Sequence, residues 1–286
     1  MREIFVSTTF IRDKTSVFKA IKLLKKIKVK NIELGSNHIY EKSFIELKNY
    51  KFNFFVHNYF PVPKKDFVIN IASINEKIRK KSIRQIKKSI LFTKFIGGGL
   101  YTFHPGFYSD PKGARLNDKN YDFLWNKKRI DRKLKKDSYR RMIISIKEIV
   151  KFSKKNKVRI AIETEGSIKA KDHLMMQLPS EYKNFKKSFS PKELGINLNL
   201  AHLNLASKTF KFDKKKFINS IKKYLVAVEL SHNYKNEDSH KPIKKGSWYI
   251  SFIKKNVPQN IPIILEFRNS KINEIINSIN LIKRTN

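Results

Sequence analysis

The chain has 286 residues and no Cys, and its 63 Lys and Arg against 24 Asp and Glu give a formal net charge of +39. It is long enough to bury a full core, and any metal must be held by imidazole, carboxylate or amide oxygen because thiolates are excluded. The apolar segments are of strand length and the N-terminus lacks the apolar core of a signal peptide, so neither a membrane span nor secretion is indicated, and a cytoplasmic protein is expected.

Short apolar runs rich in Ile, Val and Phe alternate with Lys-rich amphipathic stretches of helical length. This alternation predicts repeated β-α units around a parallel sheet. The eight runs are Ile4 to Ser7, Asn31 to Gly35, Phe54 to His57, Tyr101 to Gly106, Ile160 to Glu163, Ile196 to Asn199, Val226 to Leu230 and Ile261 to Glu266. Eight units fit an α/β fold of the closed (β/α)8 TIM-barrel type, whose usual length is about 250 residues. We therefore expect a single domain over residues 1–286.

A doubly wound open sheet is the competing architecture, because it also alternates strands and helices. It would place ligands at one switch point and leave the other polar strand ends unexplained. No Gly-rich phosphate fingerprint follows the first run, which continues through Thr8 and Thr9 to Phe10, so a nucleotide cofactor has no support. The barrel is the favoured prediction.

Polar side chains lie at or just after the ends of these runs, where a TIM barrel places its active site. Imidazoles and carboxylates that converge there form a site for a divalent cation, which can polarise a carbonyl or lower the pKa of bound water. The sequence therefore predicts a centre for zinc, manganese, magnesium or iron. The residues in question are His57, His104, Glu163, His202, His232, Asp238, His240 and Glu266.

The order of short motifs in the chain resembles the xylose isomerase-like TIM-barrel superfamily. The resemblance is to the branch that contains endonuclease IV-type apurinic endonucleases and sugar phosphate isomerases and epimerases, and it covers nearly the whole chain. The motifs are His57-Asn58-Tyr59-Phe60, Phe103-His104-Pro105-Gly106, Ile162-Glu163-Thr164-Glu165-Gly166, Asn199-Leu200-Ala201-His202, Glu229-Leu230-Ser231-His232-Asn233, Asp238-Ser239-His240 and Leu265-Glu266.

The resemblance implies a set of metal ligands. In the endonuclease branch, two histidines and a bridging carboxylate bind metal, a further triplet holds a third ion, and the last strand supplies another carboxylate. In the same order, the matching residues are His57, His104 and Glu163, then His202, Asp238 and His240, and finally Glu266.

Two positions depart from the family pattern. Asn199 stands where the family usually has Asp, and Glu229 stands where it usually has His, with His232 three residues later. An amide oxygen binds a divalent ion more weakly than a carboxylate, while Glu229 restores a negative charge. We therefore expect Zn, Mn or Mg, one to three ions in all, with altered number or geometry.

Residues near the predicted site have two interpretations each. Tyr59 and Phe60 would enter a nucleic-acid base stack, as the endonuclease branch uses this loop, or would line a sugar pocket. Trp248 would do the same or pack in the core. Lys241 would contact a substrate phosphate or carboxylate, or be an exposed lysine. His173 is expected at the surface.

The net charge also permits two interpretations. Basic residues neutralise nucleic-acid phosphates, but the basic residues here are overwhelmingly Lys, whereas the planar fork of Arg matches phosphate better. Many lie on predicted outer helices, as in Lys19 to Lys28 and Lys77 to Lys88. We favour solvated faces and keep DNA as an alternative partner.

Our hypothesis is a metal-dependent isomerase or epimerase acting on a sugar or sugar phosphate, in which Glu163 and Glu266 exchange a carbon-bound proton, as the resemblance to epimerases implies. The Pro-containing insert after His57 and the altered Asn199 and Glu229 favour it. The principal alternative is an endonuclease IV-like phosphodiesterase acting on abasic DNA, supported by the ligand series and the basic charge. A third is a binding barrel that has lost catalysis, motivated by Asn199.

Overall fold

The computed structural model describes residues 2–117, 120–125 and 130–284. Eight of its strands form a closed barrel and two form a separate hairpin. The barrel strands are β1 (Ile4–Ser7), β2 (Asn31–Leu34), β3 (Asn53–His57), β4 (Leu100–Phe103), β7 (Ile160–Glu163), β8 (Gly195–Asn199), β9 (Leu225–Leu230) and β10 (Ile263–Leu265), and the hairpin strands are β5 (Pro111–Asn117) and β6 (Asn120–Trp125).

All neighbouring strands of the barrel are parallel, and β1 closes it by pairing with both β2 and β10. In the closing pair, Ile4 lies opposite Ile263 and Phe5 opposite Ile264. The strands follow one another around the barrel in chain order, without the reversal that an open doubly wound sheet requires. The prediction of a (β/α)8 TIM barrel is confirmed, and each of the eight predicted runs overlaps a barrel strand.

Eight α-helices are described, and none combines the length and apolar character needed to cross a bilayer. They are α1 (Val17–Lys26), α2 (Glu76–Phe95), α3 (Arg132–Asn156), α4 (Pro179–Ser188), α5 (Leu200–Phe210), α6 (Lys214–Ile221), α7 (Trp248–Asn256) and α8 (Ile272–Lys283). Their alternation with the strands is not regular, because α5 and α6 both lie between β8 and β9.

The connection from β2 to β3 differs from the predicted β-α unit, since it contains only a 3-10 helix at Ile45–Asn49. Part of this connection is anchored to the loop after β1. Thr15 and His38 form an isolated bridge, and the His38 ring contacts the Thr15 carbonyl at 3.0 Å and the Thr8 hydroxyl at 2.8 Å.

The hairpin of β5 and β6 was not predicted from the sequence. Aromatic contacts hold it against the loops that follow β4 and β7. The ring of Phe107 lies 5.3 Å from that of Phe123 and 5.4 Å from that of Trp125, and Trp125 stacks on His173 at 4.1 Å. These contacts join residues far apart in the chain, which a pattern of neighbouring residues does not reveal.

The barrel interior changes from apolar to polar along the strands. A small cluster that includes Phe5, Ala161 and Ala227 fills the amino-terminal half, with Phe5 stacked on Phe55 at 3.7 Å. Side chains two positions apart in a strand point to the same face. Glu163 therefore points inward like Ala161, two positions before it. The inward residues at the carboxyl end, such as Glu163, are polar.

Candidate metal centre

The strand ends bring predicted ligands to one end of the barrel. His57, Glu163 and Asn199 are the last residues of β3, β7 and β8. Glu229 is the next-to-last residue of β9, and Glu266 directly follows β10. All five side chains are buried. Buried charges require opposite charges, hydrogen bonds or a cation nearby.

His57, His104 and Glu163 form the first cluster, in which one ligand atom of each residue lies within 4.8 Å of the others. Nε2 of His57 and Nδ1 of His104 are 3.6 Å and 3.9 Å from Oε2 of Glu163. Nδ1 of His57 contacts the Thr102 hydroxyl at 2.8 Å, and Nδ1 of His104 contacts Oε1 of Glu165 at 2.6 Å. These contacts fix the orientation of both rings.

His202, Asp238 and His240 form the second cluster. Nε2 of His202 and Nε2 of His240 lie 3.0 Å and 2.9 Å from Oδ2 of Asp238. Nδ1 of His202 contacts the backbone carbonyl of Thr164 at 2.9 Å. Nδ1 of His240 lies 2.8 Å from Oε2 of Glu266, an ion-pair distance without hydrogen-bond alignment. Each ring therefore presents its Nε2 to the same carboxylate.

Asn199 joins the carboxylates to the start of α5. Its amide nitrogen donates to Oε1 of Glu163 at 2.9 Å and to Oε1 of Glu229. Its oxygen accepts from two backbone amides in the first turn of the helix, as a typical N-cap does. Asn197 donates to the other oxygen of Glu229 at 3.0 Å. In this arrangement the Asn199 oxygen faces the helix and its nitrogen faces the carboxylates.

The buried carboxyls differ in their proton affinity. Burial raises the pKa of Glu163, but His104 and the other nearby imidazoles outweigh burial and lower that pKa to about 2. Burial raises the pKa of Glu266 too, and His240 outweighs it and holds the pKa well below its usual range. Burial and neighbouring carboxylates instead raise the pKa of Glu229 well above its usual range. Two ionised carboxylates therefore lie near a carboxyl that favours its proton.

The histidines respond to the same environment. Burial lowers the pKa of His104, but Glu163 and a second carboxylate outweigh it and raise that pKa to about 9. Burial also lowers the pKa of His240, but Asp238 outweighs burial and raises that pKa to about 9. Burial dominates at His57, whose pKa is lowered. A cation that binds these rings must displace the protons of His104 and His240.

The residues of both clusters fit a divalent cation. Oε2 of Glu163 and Oδ1 of Asp238 are buried and have no hydrogen-bond partner. Buried carboxylate oxygens in this state are costly unless a positive charge compensates them. Imidazole nitrogen and carboxylate oxygen without thiolate are a donor set that suits zinc or manganese. The first cluster has two imidazoles and one carboxylate, and so does the second.

Five other predicted site residues have different surroundings. Tyr59 lines the cavity above the clusters. Phe60 is buried in the core, and Trp248 packs under a lysine ammonium 4.0 Å from its ring. The His232 ring lies 3.2 Å from a tyrosine hydroxyl of α7, and the backbone of His232 pairs with that of Lys241. The cavity lining, as far as the structure describes it, includes Tyr59 but not Phe60, Trp248, His232 or Lys241.

The structure also assigns surroundings to residues that were not among the predicted site residues. Glu165 orients His104 from two positions after Glu163, and this Glu-x-Glu spacing was the available signal. Glu33 is fully buried beside the first cluster. The prediction of a surface position for His173 is wrong, because the hairpin covers this ring.

A cavity of about 720 Å³ opens above the clusters. Glu163 and Glu266 line its polar end, and the aromatic rings of Tyr59 and Phe107 line its walls. The hairpin contributes Phe123 to the wall. Its size and mixed lining are typical of a small-molecule site.

The chain is similar to known proteins over nearly its whole length. A family model described as "Xylose isomerase-like TIM barrel" matches residues 25–285. By sequence, no curated protein matches the chain.

Solved structures share the fold at low identity. A D-tagatose 3-epimerase-like protein is 16% identical with a TM-score of 0.72, and the match covers 100% of this chain and 97% of that chain. A D-psicose 3-epimerase is 12% identical with a TM-score of 0.69, covering 100% and 98%. A family 2 AP endonuclease from Brucella melitensis is 11% identical with a TM-score of 0.64, covering 96% of each chain.

Proposed function

Because the chain belongs to the xylose isomerase-like TIM barrel family, we propose that it is a divalent-metal-dependent isomerase or epimerase acting on a sugar or sugar phosphate. One observation carries this proposal. Glu163 and Glu266 come from different strands, have lowered pKa values and line the same small-molecule cavity. Two ionised carboxylates beside one bound molecule can remove a proton from carbon and return it.

The proposed reaction begins at a carbon next to a carbonyl. Oε2 of Glu163, which has no hydrogen-bond partner, takes the proton, and the electron pair moves to the carbonyl oxygen to give an enediolate. A divalent cation held beside Glu163 would supply Lewis-acid polarisation of the substrate oxygens.

The return of the proton decides the product. In an epimerisation, Glu266 takes a proton from solvent and gives it to the opposite face of the same carbon, which inverts that centre, while Glu163 releases to solvent the proton that it removed. A proton given to the neighbouring carbon, with the carbonyl re-formed next to it, completes an isomerisation. Glu163 is the last residue of β7 and Glu266 directly follows β10, which supports access to more than one side of the substrate.

The shape of the cavity supports a sugar over duplex DNA. Its volume of about 720 Å³ lies within the range of small-molecule pockets. Pro111, Lys112 and Phe123 of the hairpin form part of its wall, so the hairpin narrows the approach to the clusters. Two of the structural neighbours are an epimerase and an epimerase-like protein.

A second candidate function is hydrolysis of a phosphodiester in abasic DNA. The specific observation in its favour is the second cluster, because a proton exchange at Glu163 and Glu266 needs no further pair of imidazoles around Asp238. A cation held there would generate a hydroxide and stabilise the leaving oxygen. A family 2 AP endonuclease is among the structural neighbours.

The test is solvent deuterium incorporation into sugars. Manganese-loaded protein is incubated in D₂O with ketopentoses, ketohexoses and their phosphates, and exchange of the carbon-bound hydrogen is followed by proton NMR. We expect exchange with at least one sugar and a loss of about 100-fold or more in E163Q and E266Q. E237Q is the matched control, since Glu237 lines the same cavity outside both clusters.

Absence of exchange with every sugar would contradict the proposal. If the same preparation nicks an abasic duplex at low salt with zinc or manganese, the second candidate is supported, and D238N should then abolish nicking. If metal-loaded protein shows neither activity, both enzymatic functions are contradicted and the binding barrel remains.

A further inference from the structure

Glu33 on β2 is a fully buried carboxylate with no described role. Its exposed fraction is 0%, and neither of its oxygens has a hydrogen-bond partner. Burial, together with the carboxylates of Glu266 and Glu163, raises the pKa of Glu33 well above its usual range, and the Ser7 hydroxyl lowers it only in part. Such a carboxylate is stable only if it keeps a proton or faces a positive charge.

Two further ligand groups lie next to Glu33. One ligand atom each from Glu33, His57 and Glu229 lies within 4.8 Å of the others, and all three side chains are buried. We call these residues the inner cluster. Asn197 is also fully buried and donates to Oε2 of Glu229 at 3.0 Å, which orients that carboxylate as outer hydrogen bonds orient metal ligands.

His57 belongs to both the first cluster and the inner cluster. Its Nδ1 contacts the Thr102 hydroxyl at 2.8 Å, so Nε2 is the ring nitrogen left for a cation. Nε2 lies 3.6 Å from Oε2 of Glu163 in the first cluster. Because one nitrogen binds one ion, the two clusters compete for His57.

We propose that Glu33, His57 and Glu229 form a divalent-cation site deeper in the barrel, occupied as an alternative to the first cluster. The inner cluster offers two carboxylates and one imidazole, whereas the first cluster offers two imidazoles and one carboxylate. Carboxylate oxygen favours manganese and magnesium, and imidazole favours zinc. The identity of the cation therefore selects its position: manganese binds at the inner cluster and zinc at the first cluster.

This inference goes beyond the proposed function, which requires only a cation near Glu163 and Glu266. The test is a pair of metal titrations of metal-free protein, in which free manganese is measured by EPR and zinc by competition with a chromophoric chelator. We expect E33Q to weaken manganese binding by about 10-fold or more and to leave zinc binding within about two-fold. H104Q is the matched variant and should show the reverse.

Unchanged manganese affinity in E33Q would overturn the proposal and indicate that Glu33 keeps a proton. Equal weakening of both metals would overturn it too, because Glu33 would then act on the whole centre. Circular dichroism spectra and unfolding midpoints show whether each variant is folded.

A second measurement uses the unaltered protein. Anomalous diffraction from a manganese-soaked crystal should show its peak between Glu33 and Glu229, and a peak beside His104 instead would contradict the inner site. Deuterium exchange is measured on the same preparations. Manganese at the inner cluster without exchange would contradict the proposed function alone, and exchange with manganese at the first cluster would contradict the inner site alone.

Discussion

Asn199 donates its side-chain amide to Glu229 on the neighbouring strand while its oxygen caps the first turn of α5. One side chain thus links a helix start to the buried carboxylates. The two roles are separable, because Asp caps helices as well as Asn does but an ionised Asp cannot donate a hydrogen bond.

In N199D, we expect metal-free protein to lose about 2 kcal/mol or more of unfolding free energy, since Glu163 and Glu229 lose a donor and gain a like charge. Zinc or manganese should recover part of this loss, because the new carboxylate offers an oxygen ligand. Urea unfolding with and without metal measures both effects. N75D is the control: Asn75 caps α2 in the same way at an exposed position, and its change should stay within about 0.5 kcal/mol.

Gly166 lies where the backbone after β7 approaches α5. A Cβ atom at this position would lie 1.9 Å from the carbonyl oxygen of His202. G166A should therefore shift the start of α5, lower the unfolding free energy by about 1–3 kcal/mol and reduce metal binding at the second cluster. In G99A, where the nearest atom to the new Cβ is 3.5 Å away on the ring of Phe55, both quantities should hardly change.

Asp238 lies between His202 and His240, with its Oδ2 close to both rings. In D238N, we expect the metal content of purified protein to fall by about one equivalent, because the amide removes the charge that attracts a cation. Elemental analysis measures the content. E237Q alters the adjacent residue in the chain and should retain the full metal content. An equal loss of metal in E237Q would show that Asp238 is not a specific metal ligand.

His38 should make stability depend on acid pH. Burial lowers its pKa from 6.5 to about 4, although the Thr15 carbonyl and Asp13 act in the opposite direction. Between pH 6.5 and pH 4, the His38 imidazole is protonated in the unfolded chain but neutral in the folded chain. Its contribution to the unfolding free energy is therefore fully present above pH 6.5 and is lost as the pH falls towards 4. The loss from this group amounts to about 3 kcal/mol.

The measurement is urea unfolding of the unaltered protein and of H38N between pH 8 and pH 4. H38N should be less stable at pH 8, because contacts to Thr8 and Thr15 change, but its stability should fall less over the acid range. Parallel curves for the two proteins would show that His38 does not titrate as described.

The eight barrel strands could be predicted because each is a short apolar run with polar residues at its carboxyl end. Period-two alternation within a strand then places Glu163 and Glu229 inside the barrel. The same alternation does not reveal that β5 and β6 fold over the cavity, since Phe123 and Trp125 are held by residues of other loops.

The sequence by itself determined the barrel and the presence of many imidazoles and carboxylates near its carboxyl end, because both follow from hydrophobic patterns along single segments. Only the tertiary structure decided which of them meet. It set Asp238 between two imidazoles, placed His232 beside a tyrosine and directed the Asn199 nitrogen towards Glu229. These contacts depend on strand register, on helix capping and on loop paths, which bring together residues that lie far apart in the chain.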